Sequence, residues 1–485
     1  MSRLVVLVVA TVAVPRHGAF AQDASWNTHI EAGNKAFSAG RYDEAEKMYM
    51  MGLKTAEEFG SSDPRVATSL NYVAELYRFQ GKYSQAEPLY RRALPIYEKA
   101  LGPNHPYVAA SVNNLALLYN AQGKYDQAEP LFVRSLAITE KVSGPNHPSA
   151  ARYLNNLAGL YSTQAKYDLA EPLYKRALAI LEKSLGPDDP EIGTSLNDLA
   201  ELYRAQAKYE QAERMYMRAL AIRERALGLD HPTVATSLNN IAELYRSQGK
   251  CDRADPLYRR AIAIAEKALG PDHPNVATFL NNLGGLYSTQ GKLDQAEPLY
   301  KRSLAIRQNV LGPDHPDVAR SLNNLGELYK SQRKYDQAEP LLKRAMAIEE
   351  KALGANHPDL ATCLSNLALL YTTMGKYEQA EPLFKRAVEI DQTAMTPNNP
   401  KAAANLNNLA LLYYKQGRYD QAEPLLKTSL AIEEKALGPD HPNVATFLEN
   451  YADLLKATQR PAEAAEMLKR AGAIRERSEN GSGIK

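Results

Sequence analysis

Residues 274–315 read PNVATFLNNLGGLYSTQGKLDQAEPLYKRSLAIRQNVLGPDH. Two helices are written in this stretch. Pro274 suits an opening turn, where its missing N–H costs nothing. Val276, Leu280, Leu283, Leu286 and Tyr287 follow at three- and four-residue steps up to Gln290, and Gly291-Lys292 ends the helix. Asp294 and Glu297 have the spacing of a capping box, so the second helix is expected to open there, with Pro298 just inside its start. Leu299, Tyr300, Leu304, Ile306 and Leu311 supply its apolar stripe, and Gly312-Pro313 stops it.

The same unit recurs along the chain. Prolines stand at 64, 106, 148, 190, 232, 274, 316, 358, 400 and 442, a spacing of 42 residues held through nine consecutive steps. That is a repeat array, in which each pair buries its apolar face only against its neighbours. Another pair precedes Pro64, marked by Gly33-Asn34, Phe37, Gly40-Arg41-Tyr42, Ala45 and Tyr49, and the last unit loses the pattern at Arg460-Pro461-Ala462. The chain is thus expected to hold eleven helix pairs: a capping pair over 22–63, nine repeats over 64–441 and a capping repeat over 442–477, with a disordered tail at 478–485.

Composition agrees with one motif copied many times. Of 485 residues, 45% are apolar and 24% charged, which excludes wholesale disorder and a membrane bundle. Tyrosine is abundant, 29 against 8 Phe and one Trp. Lys plus Arg is 58 and Asp plus Glu 56, and that balance argues against nucleic acid or an anionic membrane as partner. Cys251 and Cys363 fall in different repeats, make no disulfide framework or zinc site, and read as fillers. Residues 1–21 have the form of a secretory signal: Arg3, the small and apolar run Leu4 to Val14, and Ala19-Phe20-Ala21 as the cleavage site. The apolar run is too short to span a bilayer. The protein is therefore expected in the periplasm or secreted, with no membrane insertion once the signal is removed, or in the cytoplasm if the leader is not used.

The order Leu-Asn-Asn-Leu-Ala, Leu-Tyr, Gln-Gly-Lys-Tyr, Ala-Glu, Leu-Tyr and Arg-Ala-Leu-x-Ile, with its Leu-Gly-Pro-Asp-His-Pro link, resembles the tetratricopeptide repeat in its 42-residue kinesin-light-chain-like variety. The resemblance covers nearly the whole chain after the leader. It implies an all-α, right-handed solenoid of antiparallel helix pairs, with first helices lining an inner groove that holds peptides or partner proteins. No heptad segment precedes the repeats and an export signal does, so attachment to a motor is not carried over.

Each first helix places adjacent polar residues between two core leucines. An asparagine offers a donor and an acceptor, so a row of them suits the main chain of an extended peptide whatever its sequence. In proteins that this chain resembles the second Asn does this work, which matches Asn114, Asn156, Asn240, Asn282, Asn324, Asn366, Asn408 and Asn450; Asp198 departs. The alternative is that these amides tie the array together. Three and six residues further on, the positions vary: Glu201/Arg204, Glu243/Arg246 and Glu327/Lys330 in the middle, Gly285/Ser288 and Leu369/Thr372 among the plainer ones. Arg204, Arg246 and Lys330 are candidate anchors for a partner. Each also has its own acid three residues earlier, a solvated helical pair, and that reading is favoured.

Seven histidines precede a repeat proline (His105, His147, His231, His273, His315, His357 and His441), and they are expected to pack at helix starts, since copies one helix-packing step apart cannot share a metal ion. Tyr119, Tyr161, Tyr203, Tyr245, Tyr287, Tyr329, Tyr371 and Tyr413 recur at a core position. No catalytic fingerprint is present, so no enzyme activity, cofactor or metal is expected. The sequence reads as a protein-protein interaction scaffold, with a self-associating spacer as alternative and a regulatory subunit of an enzyme complex as a lesser one. Leu283→Ala, a core truncation worth about 2 to 5 kcal/mol, is expected to loosen the middle of the array and leave distant repeats protected in hydrogen exchange.

Overall fold

A computed structural model describes residues 20–394 and 399–481, with side chains over 23–393 and 399–477. The leader reading lies outside the described residues up to position 19, as does the end of the expected tail, 482–485. The described residues form 22 helices in eleven antiparallel pairs, an all-α solenoid. The last helix, Pro461–Gly481, continues four residues beyond the point where a tail was expected. No described helix is long and apolar enough to cross a membrane.

First helices start as the sequence suggests, and the residue before each proline turns out to be the cap. His273 has extended backbone and its Nδ1 accepts the Asn275 N–H at 3.1 Å; Pro274 then opens the helix Pro274–Thr289. The other six histidines do the same, with Asp63, Asp189 and Asn399 in their place elsewhere.

Second helices start differently from expectation. Gly291, at φ 71°, reverses the chain, the Lys292 N–H returns to the Tyr287 carbonyl at 2.9 Å, and the helix Leu293–Leu311 begins at once. Its N-cap is Lys292, whose side chain makes no capping bond. Asp294 therefore lies in the first turn, where it complements the helix dipole, and the capping box with Glu297 does not form. Pro298 sits within the helix, where it removes one backbone bond.

The two helices of a pair cross closely because a small residue meets a large one. A side chain at Gly284 would stand 3.0 Å from the Tyr300 ring, and at Gly326 2.8 Å from Leu342. The matching Ala74, Ala116, Ala158, Ala200 and Ala242 are fully buried. Between pairs, the first-helix tyrosine, buried at Tyr245 and Tyr371 and half-buried at Tyr161, donates its hydroxyl to an acid on the preceding second helix: Tyr161 to Glu129 at 2.9 Å, Tyr245 to Glu213 at 2.7 Å, Tyr371 to Glu339 at 3.0 Å. Glu297 receives Tyr329 in this way, at 3.2 Å. Hydrogen bonds from Lys301, Gln332 and Tyr329 outweigh its burial and hold its carboxyl down to about 2.

First helices of neighbouring repeats touch one another more than second helices do, so the array curves with the first helices inside. One full turn brings distant repeats together. His315 Nδ1 accepts the Asp317 N–H, which leaves Nε2–H to donate to the Phe79 carbonyl at 2.9 Å; His357 likewise donates to Ala121 at 3.1 Å. Both bonds join residues 236 apart, so at 42 residues per repeat a turn holds between five and six repeats. Gly40 faces His273 and Pro274, Gly81 faces Pro316, and Gly123 faces His357 and Pro358, while Val310 and Leu311 join the apolar cluster of the first repeats. Successive turns are thus sealed along a seam.

Glu349 is 4% exposed, near this seam, and one of its carboxylate oxygens has no partner. Burial, reinforced by Asp359, pushes its carboxyl up to about 9, so the folded protein keeps it protonated at neutral pH. Its folded pKa lies above the unfolded one, so its stability contribution is complete below the unfolded value, about 4.3, and is lost as pH rises toward 9. Glu349→Gln is expected to stabilise the helix Tyr335–Leu353 by about 1 to 3 kcal/mol at pH 8 in hydrogen exchange, with the gain vanishing at pH 4.

Candidate functional site

The asparagines sit on the inner first helices, half-buried and stacked from repeat to repeat. The second Asn of each pair donates its amide to the first polar residue of the preceding pair: Asn156 to Asn113 at 2.9 Å, Asn240 to Asn197 at 2.8 Å, Asn282 to Asn239 at 3.0 Å, Asn324 to Asn281 at 2.9 Å and Asn366 to Asn323 at 3.1 Å. Asn408 donates to Ser365 at 3.3 Å and Asn450 to Asn407 at 3.1 Å. Asn114 makes no such bond among the described residues; the Asn71 oxygen accepts from Ser111 at 3.4 Å. The amides thus form the ladder that the sequence offered as the alternative, and what the row presents inward is its remaining polar capacity.

The variable positions line the same face. Arg204 pairs with Glu201 at 2.9 Å, Arg246 with Glu243 at 2.7 Å and Lys330 with Glu327 at 2.5 Å, as the favoured reading had it. These pairs are less solvated than sequence suggests. The second-helix tyrosine behind each arginine pair donates its hydroxyl to the same acid, Tyr216 to Glu201 and Tyr258 to Glu243, and Tyr90 does so to Glu75 at 2.7 Å. Burial disfavours the Arg246 charge, yet hydrogen bonding and the charge of Glu243 outweigh it and keep the guanidinium firmly protonated.

The repeat that follows breaks this arrangement. Gly285 and Ser288 stand where Glu243 and Arg246 stand one repeat earlier, so Tyr300 keeps its place but loses its carboxylate. A recess of about 260 Å³ opens there, lined by Arg246, Asn281, Asn282, Gly285, Ser288, Thr289, Tyr300 and Asn324. It brings together three of the residues singled out from sequence, Arg246, Asn282 and Asn324. Arg204 and Lys330 lie outside it. Tyr300 was read as core, and burial does push its hydroxyl up to about 12; its role at the recess follows only from the missing acid.

The sequence pattern described as "Tetratricopeptide repeat" matches nine stretches that together span 27–393 and 401–477. Among solved structures, the chain is similar to BtubC (BKLC) from P. vanneervenii, with 27% identity over 48% of this chain and 91% of that one and a TM-score of 0.38. It is also similar to a Podosopora anserina protein described as a kinesin light chain with nearly identical TPR-like repeats, with 27% identity over 42% and 97% and a TM-score of 0.36. A Rap protein complexed with competence and sporulation factor shares the fold, at 16% identity over 78% and 99% and a TM-score of 0.52. No curated protein matches.

Asn282→Ala leaves the Asn239 oxygen without its donor and is expected to cost about 1 to 2 kcal/mol in local opening measured by hydrogen exchange, whereas Asn114→Ala, which breaks no such bond, costs less.

Proposed function

The chain belongs to the tetratricopeptide repeat family, and from that premise we propose that it is a non-enzymatic scaffold that holds an extended segment of a partner protein along its inner face. Tetratricopeptide solenoids are typical of protein-protein interaction scaffolds. The observation that carries the finer reading is the recess at Gly285. There Tyr300, whose counterparts Tyr216 and Tyr258 bond a glutamate, faces open space beside Ser288, and Arg246, Asn282 and Asn324 line that space with the polar capacity their bonds within the array leave over. Arg246 is already answered by Glu243, so the recess has no unbalanced charge. It suits an amide or hydroxyl side chain or a main-chain carbonyl of the partner over a free carboxylate. The Asn ladder on either side offers polar contacts at the 42-residue period, indifferent to the partner's sequence, and the recess supplies choice. We place this work outside the cytoplasm, on the strength of Arg3, the run Leu4 to Val14 and Ala19-Phe20-Ala21.

The test fills the recess without disturbing the fold. Gly285→Glu with Ser288→Arg rebuilds the Glu243, Arg246 and Tyr258 arrangement one repeat later, and Gly285 is helical with room for a side chain. Affinity capture from the exported fraction is expected to recover a partner with the unaltered chain and to lose it, by about tenfold or more, with the double variant. Equal recovery by both would remove the recess from the binding surface.

A further inference from the structure

The seam between superhelical turns joins two unlike edges. On one edge are the His-Pro helix starts; on the other are the Gly turns that end the first helices, each with a backbone carbonyl at the helix C-terminus that the helix itself cannot satisfy. Within the chain, the starts at 273, 315 and 357 meet the turns at 40, 81 and 123. Both edges continue past the seam, and among the described residues nothing stands within 4 Å of a side chain built at Gly249, Gly291, Gly375 or Gly417. The starts at His105, His147 and His231 keep their capping role through Nδ1, and their Nε2 atoms have no partner among the described residues. Opposite, the carbonyls of Ser247, Thr289 and Thr373 stand where Phe79 and Ala121 stand in the seam and receive no hydrogen bond among the described residues.

Exposure follows the same division at the Gly turns and in part at the His-Pro starts. Of the histidines, His315 and His357 are buried and His147 exposed, while His273 in the seam and His105 and His231 outside it are alike half-buried; Gly81 is buried while Gly249, Gly291, Gly375 and Gly417 are exposed. Val310 lies half-buried against the preceding turn, whereas Val142, its counterpart four repeats earlier, is 49% exposed. Beside His231 the loop proline is replaced by Leu229, also exposed.

We propose that a second copy of this chain occupies these edges: the free His-Pro starts of one molecule seat on the free Gly turns of the next, reproducing between molecules the seam that each already forms within itself. The occupant is a second copy because each edge is complementary to the other in donor, acceptor and step, a match that the intramolecular seam demonstrates. The surfaces are different patches, so the contact is heterologous and does not close; it propagates along the superhelix axis. This goes beyond the peptide-holding reading and uses none of the recess residues except Thr289, through its main chain.

Sedimentation of the full chain over a range of concentrations tests it, with one variant for each edge. His105→Asn/His147→Asn/His231→Asn preserves the caps, since Asn399 caps its own helix by accepting the Lys401 N–H at 2.9 Å, but its side chain falls short of the seam. Ser247→Arg/Ser331→Arg/Thr373→Arg puts bulk on the opposite edge at exposed positions outside the recess. Mass rising steadily with concentration for the unaltered chain, association about tenfold or more weaker for each variant alone, and a defined two-chain species on mixing the variants, each of which retains one intact edge, would establish the contact. A chain that is monomeric throughout, a closed dimer of fixed mass, or growth undiminished in both variants would overturn it. Gly285→Glu/Ser288→Arg leaves both edges intact and is expected to assemble like the unaltered chain, which separates failure here from failure of the recess.

Discussion

The structure depends on one crossing, repeated. In each pair a small residue of the first helix lies against a large one of the second, Gly284 on Tyr300 or Gly326 on Leu342, and this sets how far apart and at what angle the helices lie. With the crossing the same each time, and with the first-helix tyrosine bound to the acid of the preceding pair, each repeat is placed on the last by nearly the same step. A constant step generates a superhelix, and between five and six steps bring the chain back over itself. Phe79 and His315 then meet although no local feature of either repeat anticipates the other. The unbroken 42-residue spacing from Pro64 to Pro442 keeps that step constant.

The inner face shows how one row of side chains serves two ends. The asparagine amides are spent largely on holding repeat to repeat, and a buried polar group with a partner is what permits them to lie half-covered among leucines. Specific recognition must then come from places where the internal bonding is incomplete. Replacing a Glu and an Arg by Gly285 and Ser288 removes two side chains that would have filled the space and satisfied Tyr300, and what remains is a concave group of donors and acceptors that the fold uses only in part.

Much of this was legible in sequence, and the limits are physical. Helix number and the first-helix starts follow from proline spacing and apolar period, since both are local; the histidines before the prolines were rightly placed at helix starts, although their capping through Nδ1 needed coordinates. The capping box failed because Asp294-x-x-Glu297 matches a local template while the turn at Gly291 starts the helix earlier, freeing Glu297 for Tyr329 of the next repeat. That bond spans 32 residues, beyond any motif rule. The ion pairs Glu201/Arg204 and Glu243/Arg246 were readable from their spacing, but not the tyrosines that bury them. The seam was unreadable altogether, because it arises from the summed rotation of several repeats, a quantity carried by no single residue.

A sealed seam also changes what the inner face can receive. In an open spiral a partner lies down sideways into the groove, but where Gly40, Gly81 and Gly123 meet the next turn no lateral gap is left, so a segment bound there must run with the axis. Stacking a second copy on the free edges would extend that axis and the row of asparagines with it. The edge that would join copies and the recess that would hold a partner share only Thr289, by its carbonyl on the one and as lining of the other, so the two surfaces are largely separate. Assembly and binding are then additive in geometry: each added copy lengthens the polar track, and a longer extended segment gains contacts in proportion without any new side-chain chemistry.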